Sequence, residues 1–208
     1  MSDNASGDQW LAQAQQDVRS DPTTVTRAFA LAGRKVGRGP VQPESDPLGV
    51  VHGGIEDAAR ARLVLALVET SGDRAAPVLD DLYRLGDSAE RRGVLRGLDA
   101  VVDHGAEMPK DVAKVGVDLV AEALRANEEA LVAAAVGPFA AAHLDQHTWR
   151  HAVLKLVFMG VSLDAVAQLD ERRDSEVARM ARDFASERRA AGRPVPEDVS
   201  RLTSERSA

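Results

Sequence analysis

The sequence predicts an all-α fold: a single domain of about nine to ten helices, stacked as antiparallel α–α pairs in a HEAT-like but irregular superhelical array. Apolar residues recur at helical spacing (i, i+3, i+4) along most of the chain. No segment alternates apolar and polar residues with the period of two that a half-buried strand requires. Short breaks rich in Gly, Pro, Asn and Asp separate the apolar segments, and no clean repeat is visible. A chain of 208 residues suits one core, because single cores reach roughly 250 residues before chains divide into domains.

The helical domain is expected to occupy residues 9–199. The segment 1–8 is acidic and polar, and it predicts a disordered N-terminal tail. Residues 200–208 predict a second disordered tail at the C-terminus.

Seven helices are predicted before Gly137, each with an apolar face. They cover about residues 8–19, 21–33, 55–70, 74–85, 87–105, 110–126 and 127–136. Asp21 followed by Pro22 is typical of a helix start, because the carboxylate accepts amide hydrogen bonds and proline suits the first helical position. Residues 87–90 have the Asp-x-x-Glu spacing of a capping box. Gly137 and Pro138 end the seventh helix.

The most apolar helix is predicted from His147 to Met159, with Asp145 as its cap and Gly160 at its end. Its apolar residues share one broad face: Trp149, Ala152, Val153, Leu156 and Val157, widened by Leu154 and Phe158. A helix this apolar requires neighbours on more than one side, so we expect it at the centre of the domain. A short helix at about 162–169 and a last helix at about 174–191 complete the fold.

Composition excludes several classes of function. The net charge of −7 argues against nucleic-acid binding, which needs a basic surface. Cysteine is absent, so disulfides, thiolate catalysis and zinc–cysteine sites are excluded. The longest apolar runs fall far short of the roughly 20 residues that a membrane span needs. The first residues lack the basic start and apolar core of a secretory signal. We therefore expect a cytoplasmic protein that does not span a membrane.

Three histidines, His143, His147 and His151, follow one another at intervals of four residues. This spacing brings imidazoles together on a helix and is a known metal-ligand geometry. Asp145 as the cap would leave His143 outside the helix, and the general-base glutamate of His-Glu-x-x-His is missing. A polar face on an otherwise buried helix is the favoured interpretation, and neither a metal site nor a cofactor is predicted.

Six residues form the candidate ligand-binding set. Lys155 stands between two leucines, where it either reaches solvent, pairs with a buried carboxylate or holds an anionic ligand. Trp149 is either a core anchor or a platform for a ligand. The glycine-rich basic loop at 33–40 could cradle an anion or simply connect two helices. The set is Arg34, Arg38, His143, Trp149, Arg150 and Lys155.

Several motifs in the chain are similar to those of the EboA family. They are Gly137-Pro138-Phe139, His143-Leu144, Trp149-Arg150, Val153-Leu154-Lys155, Phe158, Gly160-Val161, Leu169-Asp170 and the segment 190–196, together with the earlier segments 32–38 and 86–91. The likeness covers about residues 29–199. Ser162 stands where the family often has proline, and His147 is not part of the family pattern.

The resemblance implies a place in a bacterial secondary-metabolite gene cluster that makes a small molecule or moves it toward the cell envelope. The partners that it implies are a UbiA-type prenyltransferase, a TatD-like hydrolase, a sugar-isomerase-like protein and a dehydroquinate-synthase-like enzyme. It transfers no catalytic residues to this chain.

Two hypotheses about function remain open from the sequence. The first is a non-enzymatic helical binding or scaffold protein that holds a partner protein or a small molecule. The second is an enzyme that acts on a phosphorylated or prenylated intermediate, with Lys155 or a histidine as the acid/base. The position of Lys155 discriminates between them, because an acid/base must open into a pocket.

Overall fold

The computed structural model describes residues 2–204, and this part of the chain confirms the all-α class. Eight long helices and four short ones follow one another. They are α1 (Ser2–Ser20), α2 (Val25–Lys35), α3 (Ile55–Ser71), α4 (Ala75–Arg84), α5 (Ser88–Asp103), α6 (Lys110–Ala123), α7 (Glu129–Ala134), α8 (Pro138–His143), α9 (Gln146–Met159), α10 (Leu169–Arg172), α11 (Ser175–Ala190) and α12 (Val199–Thr203). No strand occurs within residues 2–204; a single antiparallel bridge joins Pro40 to Gly54.

The predicted tails are wrong where the structure describes them. Helix α1 runs through residues 2–8, and Gly7 is buried against α2: a Cβ at Gly7 would lie 3.2 Å from the carbonyl oxygen of Lys35. At the other end, α12 covers most of the segment 200–204, and its Leu202 is buried. Met1 and residues 205–208 lie outside the described residues.

Helix α3 lies at the centre of the domain, in the place predicted for the helix at 147–159. Twelve of its seventeen residues are buried, compared with six of fourteen in α9. The reason is visible on α9 itself, where His147, His151 and Phe158 are exposed. The broad apolar face of α3 indicated burial from the sequence, but its first turns also carry Glu56, Asp57 and Arg60, which are charged yet buried.

Helices α3 and α5 pack along each other in parallel, with α4 connecting them, and this pair departs from the predicted antiparallel stacking. A Cβ at Gly93 would meet the Arg60 side chain at 2.4 Å, and a Cβ at Gly97 would meet Val64 at 2.4 Å. The contact moves from Arg60 to Val64 on α3 as it moves from Gly93 to Gly97 on α5, so the two helices run in the same direction. The two glycines let the helix backbones approach more closely than any larger residue would allow.

The C-terminal third contains a helix that the sequence analysis missed. Helix α7 ends at Ala134, earlier than predicted, and Gly137 is the N-cap residue of α8; Pro138 occupies the first turn of α8, where its missing N–H costs nothing. The predicted short helix at 162–169 is instead a 3₁₀ turn, Leu163–Ala165, followed by α10. The capping predictions at Asp87 and Asp145 are confirmed: both carboxylates accept an amide hydrogen bond in the first turn.

No helix within residues 2–204 combines the length and the apolar character needed to cross a bilayer.

Candidate binding site

The six predicted site residues do not form one site. Arg34 and Arg38 lie at and just after the end of α2, and both side chains are exposed. Helix α2 packs on α1 and α3, whereas α9, which carries Trp149, Arg150 and Lys155, packs on α7 and α11. The sequence placed the two groups in one cleft because it gave no information about which helices are neighbours.

Trp149 is a core anchor. Its side chain is fully buried, and the Arg172 guanidinium lies 5.0 Å from the centroid of its ring. The same guanidinium donates hydrogen bonds to the carbonyl oxygens of Ala140, Ala141 and Leu144, at 3.2, 2.7 and 2.9 Å. These carbonyls lie in the second half of α8 and just after it, and the carbonyl of Ala140 also accepts the N–H of Leu144. Arg172 therefore caps α8 while it covers the indole, a role that the sequence analysis did not assign to it.

The histidines are spread over two environments. The ring of His143 packs on Phe139 with 4.5 Å between centroids, and its partial burial lowers the pKa of the imidazole. His147 and His151 contact each other edge to face on the exposed side of α9. Over residues 2–204, no three His, Asp or Glu side chains converge in a way that could hold a metal ion.

Arg150 joins α9 to α11. Its Nε lies 3.1 Å from both carboxylate oxygens of Asp174. Asp174 also accepts hydrogen bonds from the backbone N–H of Val177, at the start of α11, and from the Gln146 side chain. The Arg150 guanidinium, with help from these donors, holds the pKa of Asp174 well below its usual range. The pair is a structural link between two helices.

Lys155 caps a helix. Its Nζ donates to the carbonyl oxygens of Leu124 and Ala126, at 2.6 and 2.7 Å, just past the end of α6. An ammonium at this position satisfies carbonyls that have no helical partner and favours the negative end of the helix dipole. The sequence allowed for pairing with a buried carboxylate, whereas the structure shows pairing with two main-chain carbonyls.

A different polar region was missed by the sequence analysis, namely the connection between α2 and α3. We call residues 37–54 the loop platform. Asp46 lies buried within it, and its carboxylate accepts hydrogen bonds from the backbone N–H groups of Val50, Val51 and His52 at 2.7–2.9 Å. A short bridge closes its two ends, with the N–H of Val41 donating to the Gly53 carbonyl. The loop platform is therefore a fixed structure.

Arg96 of α5 binds the loop platform directly, and Arg92 of the same helix supports it through Asp57 of α3. Arg96 donates to the carbonyl of Val51, and Arg92 donates through Nε to Asp57 at 3.2 Å. The same Asp57 oxygen accepts the N–H of Gly54 at 2.9 Å and so caps α3. Asp57 is only 2% exposed, and its other carboxylate oxygen has no hydrogen-bond partner. We call Asp46, Asp57, Arg92 and Arg96 the loop-anchoring cluster.

Asp99 lies one turn further along α5. Its Oδ1 accepts the N–H of Phe139 at 2.9 Å at the start of α8, while Oδ2 is buried without a partner. Burial raises the pKa of this carboxyl to about 7, and the Arg96 guanidinium, 3.9 Å away, opposes the rise. Asp99 is well placed to bind α8 but is closed off from any substrate.

Above the loop-anchoring cluster, the loop platform presents apolar side chains to solvent. Leu48 is 84% exposed and Val41 is 47% exposed, and Ile55 extends the surface at the start of α3. The two arms of the loop are adjacent, because a Cβ at Gly49 would lie 3.6 Å from the Cα of Pro40. Leu48 lies between a proline and a glycine, outside any helical pattern. A leucine in such a position has no helix face to join, and this was the sequence signal that could have identified Leu48 as exposed.

Comparison with curated proteins and with solved structures gave no match. A family model described as "Metabolite traffic protein EboA" matches residues 4–204, which is nearly the whole chain. The match includes the loop platform, the loop-anchoring cluster and all six predicted site residues. The chain therefore belongs to the EboA family, whose description assigns it a role related to metabolites.

Proposed function

We propose that this protein serves metabolite traffic as a non-enzymatic helical binding and scaffold protein, and that a partner protein docks on the loop platform. The observation that carries the proposal is a rigid loop with a large apolar side chain at its tip. The carboxylate of Asp46, the bridge from Pro40 to Gly54 and the two arginines of α5 all hold this loop in one shape.

Such a loop suits binding because its conformational cost is met before the partner arrives. Ordering a flexible loop during association costs conformational entropy and so weakens the affinity, whereas a preorganised loop does not carry this cost. Complete burial of one leucine side chain contributes roughly 2 kcal/mol. Leu48 is therefore suited to be an anchor residue for a pocket on another protein, and Val41 is a second exposed apolar side chain of the same loop.

The partners proposed are those that the family resemblance implies: a UbiA-type prenyltransferase, a TatD-like hydrolase or a sugar-isomerase-like protein of the same bacterial secondary-metabolite cluster. In this proposal the protein works in the cytoplasm and assists the synthesis of a small molecule or its transport toward the envelope. The conformity of the whole chain with a metabolite-traffic family supports the pathway but does not identify the partner.

The experiment is a pull-down of these three proteins with the full chain and with Leu48→Ser. We expect the parent to retain at least one of them and Leu48→Ser to lose most of it, because the substitution removes the exposed anchor without touching the core. Leu85→Ser is the matched control, since Leu85 is 85% exposed but lies between α4 and α5. Equal retention by the parent and both variants, or no retention of any of the three proteins, would contradict the proposal.

The enzymatic alternative has less support. In it, Lys155 or a histidine acts as acid/base on a phosphorylated or prenylated intermediate. The Lys155 ammonium is occupied by two carbonyl oxygens, and His143 packs on an aromatic ring. Turnover of such an intermediate by the parent, abolished in a folded Lys155→Met variant, would favour this alternative over the scaffold.

A further inference from the structure

A group of cations lies at one edge of the loop platform. Arg34 and Lys35 belong to the last turn of α2, Arg38 follows in the loop platform itself, and all three side chains are exposed. The Arg38 side chain folds back over the end of α2, because a Cβ at Gly33 would lie 3.1 Å from its Nε. We call Arg34, Lys35 and Arg38 the basic edge.

The basic edge has no neutralising carboxylate among the side chains of residues 5–204. None of its three cations forms an ion pair there, whereas other exposed arginines do, such as Arg84 with Asp80 at 2.7 Å. Glu44 is the one exposed carboxylate of the loop platform, since Asp46 is buried against three N–H groups. This region is therefore locally positive on a chain whose net charge is −7.

Stabilisation of α2 explains only part of this arrangement. Cations in the last turn of a helix interact favourably with the helix dipole, which accounts for Arg34 and Lys35. Arg38 lies beyond the helix, yet its guanidinium stays near the end of α2, where the other two cations are. Like charges held together repel one another in the free protein. An acidic surface brought by a partner would offset this repulsion.

The basic edge is close to the exposed apolar side chain at the tip of the loop platform. Arg38 is two residues before Pro40, and Leu48 is next to Gly49, where a Cβ would lie 3.6 Å from the Cα of Pro40. These links limit the distance between the Cα atoms of Arg38 and Leu48 to roughly 16 Å. A stable protein interface covers about 800 Å² on each partner, which is wide enough to include both.

We propose that the protein that docks on the loop platform has an acidic surface beside its pocket for Leu48, and that the basic edge attracts this surface before the apolar contact forms. The inference rests on the proposed docking at the loop platform and adds the charge of the partner. Attraction between opposite charges mainly speeds association, whereas a buried apolar contact mainly slows dissociation. The two parts of the surface therefore have separable kinetic effects.

The test measures association and dissociation rates by surface plasmon resonance, with the UbiA-type prenyltransferase, the TatD-like hydrolase and the sugar-isomerase-like protein each passed over the full chain. Association should be at least about tenfold slower at about 0.5 M than at about 0.1 M sodium chloride, because salt screens the attraction, while dissociation changes less than about threefold. Association that does not respond to salt would overturn the acidic partner surface but leave docking at Leu48 intact. Binding of none of the three proteins would overturn the docking and this inference with it.

Neutralisation of the basic edge tests whether the attraction is local. Arg34→Gln, Lys35→Gln and Arg38→Gln combined should slow association at least about fivefold at low salt and leave dissociation nearly unchanged, whereas Leu48→Ser should mainly speed dissociation. The matched control removes three exposed cations from α11 and the segment after it: Arg182→Gln, Arg189→Gln and Arg193→Gln combined. Helix α11 packs mainly on α9 and α12, so this control should associate like the parent. Equal slowing by both triple variants would assign the effect to net charge and overturn the proposal.

Two further measurements separate charge from other causes. Arg34→Lys and Arg38→Lys combined keep the charge and should associate like the parent. Slowing equal to that of the glutamine variant would overturn the attraction between charges. Cosedimentation with vesicles of phosphatidylcholine and phosphatidylglycerol tests an anionic lipid surface as the occupant. We expect the chain to stay in the supernatant, and binding to these vesicles that is lost in Leu48→Ser would replace the protein partner by a membrane and overturn the proposal.

Discussion

Asp99 should make the stability of this protein depend on pH in a direction opposite to that of most carboxylates. Its pKa rises from 3.8 in the unfolded chain to about 7 in the folded protein, because burial penalises the charged form. Below pH 3.8 both states hold the proton, and Asp99 has no effect on the free energy of unfolding. Between the two pKa values only the unfolded state releases the proton, so folding becomes less favourable as pH rises. Above about pH 7 both states are ionised and the cost is constant.

The magnitude follows from the width of this window. Each pKa unit is worth about 1.4 kcal/mol, so a shift from 3.8 to about 7 corresponds to roughly 4 kcal/mol at full ionisation. Between about pH 4.5 and 7.5 the expected change is roughly 3 kcal/mol. Asp99→Asn has nearly the same shape and keeps an oxygen for the N–H of Phe139, but it cannot ionise.

The assay is urea unfolding, followed by circular dichroism, of the parent and Asp99→Asn at several pH values in this range. The free energy of unfolding of the variant minus that of the parent should rise by roughly 3 kcal/mol from the acid to the alkaline end. Using the difference cancels other titrating groups and any constant cost of the amide. Asp118→Asn, at an exposed carboxylate on α6, is the control and should not reproduce the rise. A difference that stays flat with pH would refute the reasoning about Asp99.

Three further substitutions test the links between helices. Lys155→Met should lower the free energy of unfolding by about 2 kcal/mol, because it leaves two carbonyls past α6 without a charged donor; an unchanged urea midpoint would contradict this. Gly97→Ala should lower the free energy of unfolding by about 1–3 kcal/mol, because the added Cβ would lie 2.4 Å from Val64 and would force α3 and α5 apart. A thermal midpoint equal to that of the parent would be inconsistent with this packing. Asp174→Asn should weaken the dependence of the free energy of unfolding on pH in the acid range. Arg150 lowers the pKa of Asp174 in the folded state, so its stabilisation is complete above the unfolded pKa and is lost as pH falls from about 5 downwards; parallel acid curves for variant and parent would argue against that contribution.

The sequence predicted local features well, because local features depend on residues a few positions apart. The capping residues Asp87 and Asp145 act within their own first turns, and the structure confirms both. Helical spacing located the long helices for the same reason, since the residues of one apolar face lie within a few turns of one another. The all-α class follows from these local patterns together.

What the sequence did not reveal depends on contacts between distant segments. The partners of Lys155 are carbonyls 29 and 31 residues earlier in the chain, and nothing near Lys155 indicates them. Gly93 and Gly97 are typical of breaks or loose turns when read alone, yet they form the contact surface between two parallel helices. Asp57 resembles a solvent-facing residue until Arg92, 35 positions later, is placed beside it.

The motifs that carry the family resemblance have a consequence for how specificity is encoded. The tryptophan and lysine of α9 and the Gly-Pro-Phe segment at the start of α8 form core, cap and packing contacts, so in this chain these motifs serve the architecture. Selection for a particular cargo would act on other positions, which can change without disturbing that framework. A chain with the full signature but a different residue in place of Leu48 would then be a folded relative that docks on a different partner.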